Sequence, residues 1–142
     1  MKSFPNLHRS ILFLLSILLA GCLCGKKTGE LEVVRGQEFN LPLGKTALLK
    51  DGGLELTFTE VLEDSRCPLY TNCIWEGQVR IKIEVKQAGD AVAVEFTRTG
   101  QETEPLIEVV DGLKLTVLSV NPYPESGKSF KPADYSVRML ID

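Results

Sequence analysis

The residues with the means to do chemistry are few, and most of them sit in one stretch. Glu63 to Gly77 (EDSRCPLYTNCIWEG) holds three carboxylates (Glu63, Asp64, Glu76), Arg66, the cysteines Cys67 and Cys73, and the chain's one tryptophan, Trp75. Two carboxylates flanking a substrate are the working pair of a glycoside hydrolase. The same three could in principle hold calcium, but no Asp-x-Asp-x-Asp-Gly spacing accompanies them. Arg66, one residue before Cys67, could be presented to a trypsin-like protease as a substrate-like bond, because a stiffened loop loses less freedom on binding. The bland reading of that arginine is a loop ion pair with Asp64. Cys67 and Cys73 lack the Cys-x-x-Cys spacing of redox sites, and no histidine or helix signal is present to lower a thiol pKa. The pair therefore reads as a structural disulfide. Its seven-residue ring, stiffened by Pro68, contributes about 2 kcal/mol by loop closure.

What is missing narrows the chemistry further. The one histidine, His8, lies in an N-terminal segment that reads as removed on export. Without histidine, Ser-His-Asp and Cys-His mechanisms are excluded, as are histidine-ligated zinc, copper and iron sites. No cofactor and no metal are expected, and the expectation is a protein that is not an enzyme.

The first 21 residues have the order of a secretory signal: Lys2 and Arg9, then the apolar Ile11 to Leu19, then Ala20 and Gly21. Nine apolar residues are too few to span a bilayer, which takes about 20. Leu19-Ala20-Gly21-Cys22 resembles the lipobox of bacterial lipoproteins. That resemblance implies cleavage before Cys22, acylation of its thiol and amino group with diacylglycerol and a fatty acid such as palmitate, and a stable membrane anchor. It also implies a place in the bacterial cell envelope. Leu23, where an aspartate would favour inner-membrane retention, points to the outer membrane if the source has two. Cys24 is left as an odd thiol beside the anchor, and a four-cysteine zinc site would need Cys22. Removal of residues 1–21 leaves 14 basic against 19 acidic residues and a net charge of −5, which gives nucleic acid no electrostatic footprint.

The elements that must position these residues are strands. Val79, Ile81, Ile83 and Val85 alternate with Arg80, Lys82 and Glu84, which predicts a half-buried strand. Similar short runs cover Phe39–Leu43, Thr46–Leu49, Leu54–Leu62, Ala91–Phe96, Leu106–Val110, Leu113–Val120 and Tyr135–Ile141, with a phase slip at Val61-Leu62 that predicts a bulge. About eight short strands and no helical period predict an all-β fold, a single antiparallel Ig-like β-sandwich over residues 36–142, preceded by a tether at 22–35. If every connection reverses direction, the tight turns at 51–53, 88–90 and 111–112 fall at one end. The longer connections 63–77, 97–105 and 121–134 fall at the other. The tether would then join the tight-turn end, and the long loops would point away from the membrane. Counting by twos back from Val79 puts Trp75 on the core face of its strand, and Tyr135 shares the parity of Val137 and Met139. Tyr123 reads equally well as core or surface.

Asp64-Ser65-Arg66-Cys67-Pro68, then Cys73-Ile74-Trp75-Glu76-Gly77, then Val120-Asn121-Pro122-Tyr123-Pro124 and Asp134-Tyr135 together resemble a family of small exported bacterial proteins, many of them lipoproteins. The resemblance runs from about Gly36 to the C-terminus. It implies the fold, the disulfide and the envelope address, and carries no activity with it. The functional expectation is a membrane-anchored, non-enzymatic binding or envelope-structural module. Arg66, Tyr70, Tyr123 and Phe130 form its candidate binding surface, and an envelope or extracellular protein is the partner. The alternatives are the protease inhibitor built on Arg66-Cys67 and the carboxylate hydrolase.

Overall fold

The alternation at Gln78–Gln87 becomes an interior strand of a five-stranded sheet in the computed structural model, which describes residues 30–142 apart from 52, 101 and 111. The leader segment, Cys22 and Cys24 lie outside the described residues. Nine strands form: β1 (Glu30–Val33), β2 (Phe39–Pro42), β3 (Thr46–Leu49), β4 (Leu54–Asp64), β5 (Gln78–Gln87), β6 (Asp90–Thr99), β7 (Leu106–Val110), β8 (Leu113–Asn121) and β9 (Ser136–Ile141). They make two sheets, ordered β1-β3-β4-β5-β6 and β2-β9-β8-β7. The inner faces meet in one core that includes Leu41, Leu56, Phe58, Ile81, Ile83, Leu115 and Met139. The fold is an all-β sandwich. On the outer face, Arg80–Glu95, Lys82–Glu60 and Lys86–Glu55 pair across strands at 3.0–3.5 Å. Exposed pairs of this kind add little stability, about 0.2–1 kcal/mol each, so burial of the inner face is what drives assembly.

The phase slip at Val61-Leu62 is present as register shifts in the β4–β5 pairing, between Phe58 and Glu60 and between Val61 and Glu63. The extra residues bend β4, and its last residues, Glu63 and Asp64, pair with Arg80 and Val79 at the end of the sheet.

Two expectations need correction. The tether at 22–35 is not structureless throughout: Glu30–Val33 is an edge strand, and it pairs with β3 in parallel, Glu30 with Thr46 and Val33 with Leu49. A four-residue edge strand takes its hydrogen bonds from a distant neighbour, and of its side chains only Val33 is buried, so local alternation carries little trace of it. The second correction follows from the first. Because β1 runs alongside β3 toward the tight turns, its first residue, Glu30, lies toward the long-loop end and not at the tight-turn end. The tight turns and long loops do segregate to opposite ends. Gly77 and Gly100 are hydrogen-bonded backbone to backbone (2.8 Å), and Leu69 donates its N–H to the Pro124 carbonyl (2.9 Å), so the three long loops meet.

Candidate functional site

At the long-loop end, Arg66 does not project into solvent. It turns inward two residues after β4 ends, and only 4% of it remains exposed. Its Nε and Nη2 donate to the two oxygens of Asp64 at 2.7 and 2.6 Å. Nη1 donates to the Val120 carbonyl (2.9 Å) and Nη2 also to the Pro122 carbonyl (2.8 Å). The guanidinium lies over the Tyr123 ring, 4.7 Å from its centre, and the Tyr135 hydroxyl donates to Asp64 Oδ2 at 2.9 Å. A side-on bidentate guanidinium–carboxylate pair is among the stronger charge-assisted contacts. Both side chains are nearly fully enclosed, at 2% and 7% exposure. Asp64, Arg66, Val120, Pro122, Tyr123 and Tyr135 are thus one network, tying the end of the five-stranded sheet to the β8–β9 connection. These are the residues that carry the motif resemblance, and what brings them together is closure of the sandwich.

This placement removes Arg66 from the expected binding surface. Nothing local to an arginine in a polar loop announces that its acceptors lie 54 and 56 residues away. It also leaves a protease no exposed arginine to engage there. Tyr123 is half-buried as the stacking platform, and its hydroxyl is buried with no partner among the described residues. Phe130 is half-buried and lines a different depression with Leu43, Val61 and Tyr135. Of the four residues, Tyr70 alone stands fully in solvent.

Burial, followed by the hydrogen bond to Asp64, pushes the Tyr135 phenol from 10.0 up to about 12. A raised folded-state pKa means that the neutral phenol stabilises the fold below pH 10, and that this contribution is lost as pH climbs from 10 toward 12. Between those values the wild-type chain is expected to lose urea resistance faster than Tyr135→Phe, which cannot ionise. Parallel pH profiles of the urea midpoint would contradict this.

The three carboxylates sit in different environments. Glu63 accepts from Ser65 Oγ (2.7 Å) and Gln78 Nε2 (2.9 Å). These bonds, Gln78 first, hold its carboxyl below the ordinary range, opposite to the direction a general acid requires. Asp64 is committed to Arg66 and Tyr135. Glu76 is exposed and lies over Gly100.

The Cys67–Cys73 disulfide is present. Beyond it, Trp75 is 73% exposed, and the core position expected from its parity is overturned. The reason is Gly77, whose φ of +69° breaks the extended geometry between Trp75 and β5. Alternation cannot be counted through a left-handed residue. Ile74 (109%) and Tyr70 (93%), on the same loop, are fully exposed as well. Tyr70 has a φ of +65°, a conformation costing a bulky residue about 1–2 kcal/mol. Ile74 went unnoticed in the sequence, although an isoleucine between a cysteine and a tryptophan in a polar loop is itself a signal.

Comparison with known protein families, curated proteins and solved structures finds no match. The geometry of the loop end is what bears on function.

Replacing Cys67 and Cys73 together by serine is expected to lower stability by about 2 kcal/mol, the loop-closure value for a seven-residue ring. The loss should be reproduced by reducing the wild type and read from urea unfolding. No change on reduction would show that the Arg66 network holds the loop unaided.

Proposed function

We propose that this chain is a lipid-anchored, non-enzymatic binding module of the bacterial cell envelope, held to the membrane through Cys22. It recognises a protein partner with the stapled tip Tyr70–Ile74–Trp75. The observation that supports this reading is the exposure of three large apolar side chains on a loop pinned on one side by a disulfide and on the other by a buried ion pair. Exposed clusters of this kind mark interaction sites, and rigid aromatic anchors dominate binding hot spots. With a net charge of −5 after removal of the leader and Glu76 exposed next to the tip, the matching surface is an apolar socket edged by basic groups.

A photo-crosslinker at Ile74 in the full lipoprotein, with a second at Gly89 in the β5–β6 turn, tests the reading in source cells. Capture from Ile74 alone is expected. Capture from both positions equally, or from neither, would overturn the tip as recognition site. Trp75→Ser is expected to abolish capture while changing stability by no more than about 0.5 kcal/mol, as for an exposed surface position. Cys22→Ser should release the chain from the membrane fraction and abolish palmitate labelling; retention of label would place the acylation elsewhere.

A further inference from the structure

A second feature adjoins the tip and is centred on residues that the recognition reading does not use, Arg98 and Tyr123. A cleft of about 350 Å³ is lined by Arg66, Arg98, Glu102, Tyr123 and Arg138, among others. A second cleft of about 250 Å³, walled by the Cys67–Cys73 disulfide and Trp75, shares Gly100 and Tyr123 with it. The two adjoin as one groove, with three arginines along the first part and, along the second, the disulfide and Trp75 set among the polar Thr71, Asn72 and Glu76.

The cations differ in how they are satisfied. Arg66 is neutralised by Asp64 (2.6 Å) and Arg138 is paired with Glu38 (3.7 Å). Arg98 follows Val94 and Phe96 on the core-facing parity of β6 and is only 5% exposed. Its Nη1 donates to the carbonyls of Glu102 (2.6 Å) and Glu104 (2.9 Å), and Nη2 donates to that of Val117 (3.0 Å). Among the described residues no carboxylate forms an ion pair with it, and its Nε–H is buried with no acceptor. Carbonyl dipoles position a guanidinium but do not cancel its charge, and a buried charge without a counter-charge is costly. Burial works against its charged form, Glu102 offsets part of that, and Arg66 adds repulsion. The Tyr123 hydroxyl, on the same cleft, is a second buried donor without an acceptor.

We propose that this groove binds a small organic monoanion, a carboxylate carried on an apolar group, with the carboxylate at Arg98 and Tyr123 and the apolar part against Trp75 and the disulfide. One uncompensated cation with Glu102 nearby calls for a single negative charge, so a phosphate dianion is disfavoured. The segment over Arg98, Glu102 to Pro105, is irregular backbone and is fastened to the arginine by two of the bonds above. A carboxylate reaches the Nε–H by displacing it. The site shares Trp75 with the proposed recognition tip, while its cation, Arg98, lies outside the tip.

The chain's one tryptophan reports directly on the test. The full-length chain in non-ionic detergent is titrated at pH 7 with 3-phenylpropionate, with its neutral isostere 3-phenylpropanamide and with inorganic phosphate, following Trp75 emission and thermal unfolding. The acid is expected to act saturably and the amide about tenfold more weakly or less, the worth of a hydrogen bond to a charged group. Phosphate should be weaker than the acid. Tyr123→Phe keeps the ring under Arg66 and should weaken the acid about fivefold, leaving the amide unchanged. Arg98→Met should erase the preference for acid over amide; if it does not fold, Tyr123→Phe decides the matter. Equal affinity for acid and amide, no saturable response to the acid, tighter phosphate binding, or undiminished acid binding by folded Tyr123→Phe would each overturn the site.

Discussion

Asp64→Ala is expected to cost the domain about 3–5 kcal/mol, the range for stranding a buried partner charge. Set against the 5–15 kcal/mol that typically holds a small domain together, that is enough to leave a sizeable unfolded fraction. The substitution leaves Arg66, 4% exposed, with two backbone carbonyls and a tyrosine ring but no counter-charge, and it removes the acceptor of the Tyr135 hydroxyl. Asp64→Asn should cost less, because an amide oxygen still accepts from the guanidinium. Asp64→Leu combined with Arg66→Met should recover much of the loss, since apolar replacement of an entire buried pair is often near neutral. The double-mutant cycle in urea isolates the pair. Loss below about 1 kcal/mol for Asp64→Ala would mean that the pair is far more hydrated than its enclosure indicates.

Gly77→Ala is the second large effect, through backbone geometry. A Cβ at this position would lie 1.8 Å from the Ser65 carbonyl oxygen, 2.5 Å from its carbon and 2.9 Å from Arg66 Cα. All three are main-chain atoms of the strand opposite, which also hydrogen-bonds across at Ser65 N–Gln78 O (2.8 Å) and Cys67 N–Glu76 O (2.9 Å). No rotamer change relieves such a contact. The end of β4 and the start of β5 must separate, taking the disulfide loop and Arg66 with them. A loss of about 4 kcal/mol or more is expected, at the severe end for single substitutions. Gly89→Ala is the control. Gly89 also has positive φ, +99°, but open space around it, so only the left-handed penalty of about 1–2 kcal/mol applies. Similar urea midpoints for the two variants would show that the close approach at Gly77 is relaxed in solution.

The parts of this fold that were legible in the sequence are those set by local alternation and turn chemistry. Ile81 and Ile83 declare a buried face because Arg80, Lys82 and Glu84 declare the other. The bulged β4, the three tight turns and the gathering of the long connections at one end follow from the same period-two reasoning. What escaped was decided by distant partners. Glu30–Val33 is a strand because β3 offers an edge, not because its own residues alternate strongly. Arg66 is buried because the Val120 and Pro122 carbonyls await it across the sandwich, and Trp75 is exposed because one left-handed glycine cancels the parity count. Arg98 lies between these cases. It falls in the connection expected at 97–105, whereas β6 runs on to Thr99 and carries it inward on the parity of Val94 and Phe96.

The parallel pairing of β1 with β3 also sets a length scale. With Cys22 as the anchor, eight residues, 22–29, separate the lipid from the first strand. Even fully extended they span no more than about 25–30 Å. Glu30, the first residue of β1, lies toward the long-loop end, so an anchor at Cys22, as proposed, favours a posture in which the Tyr70–Ile74–Trp75 tip leans back toward the bilayer. The module can then sweep only a shallow layer above the lipid headgroups. The proposed partner would then be an integral or membrane-hugging protein, and lengthening this leash by a flexible insert should widen the set of partners within its radius without altering the tip.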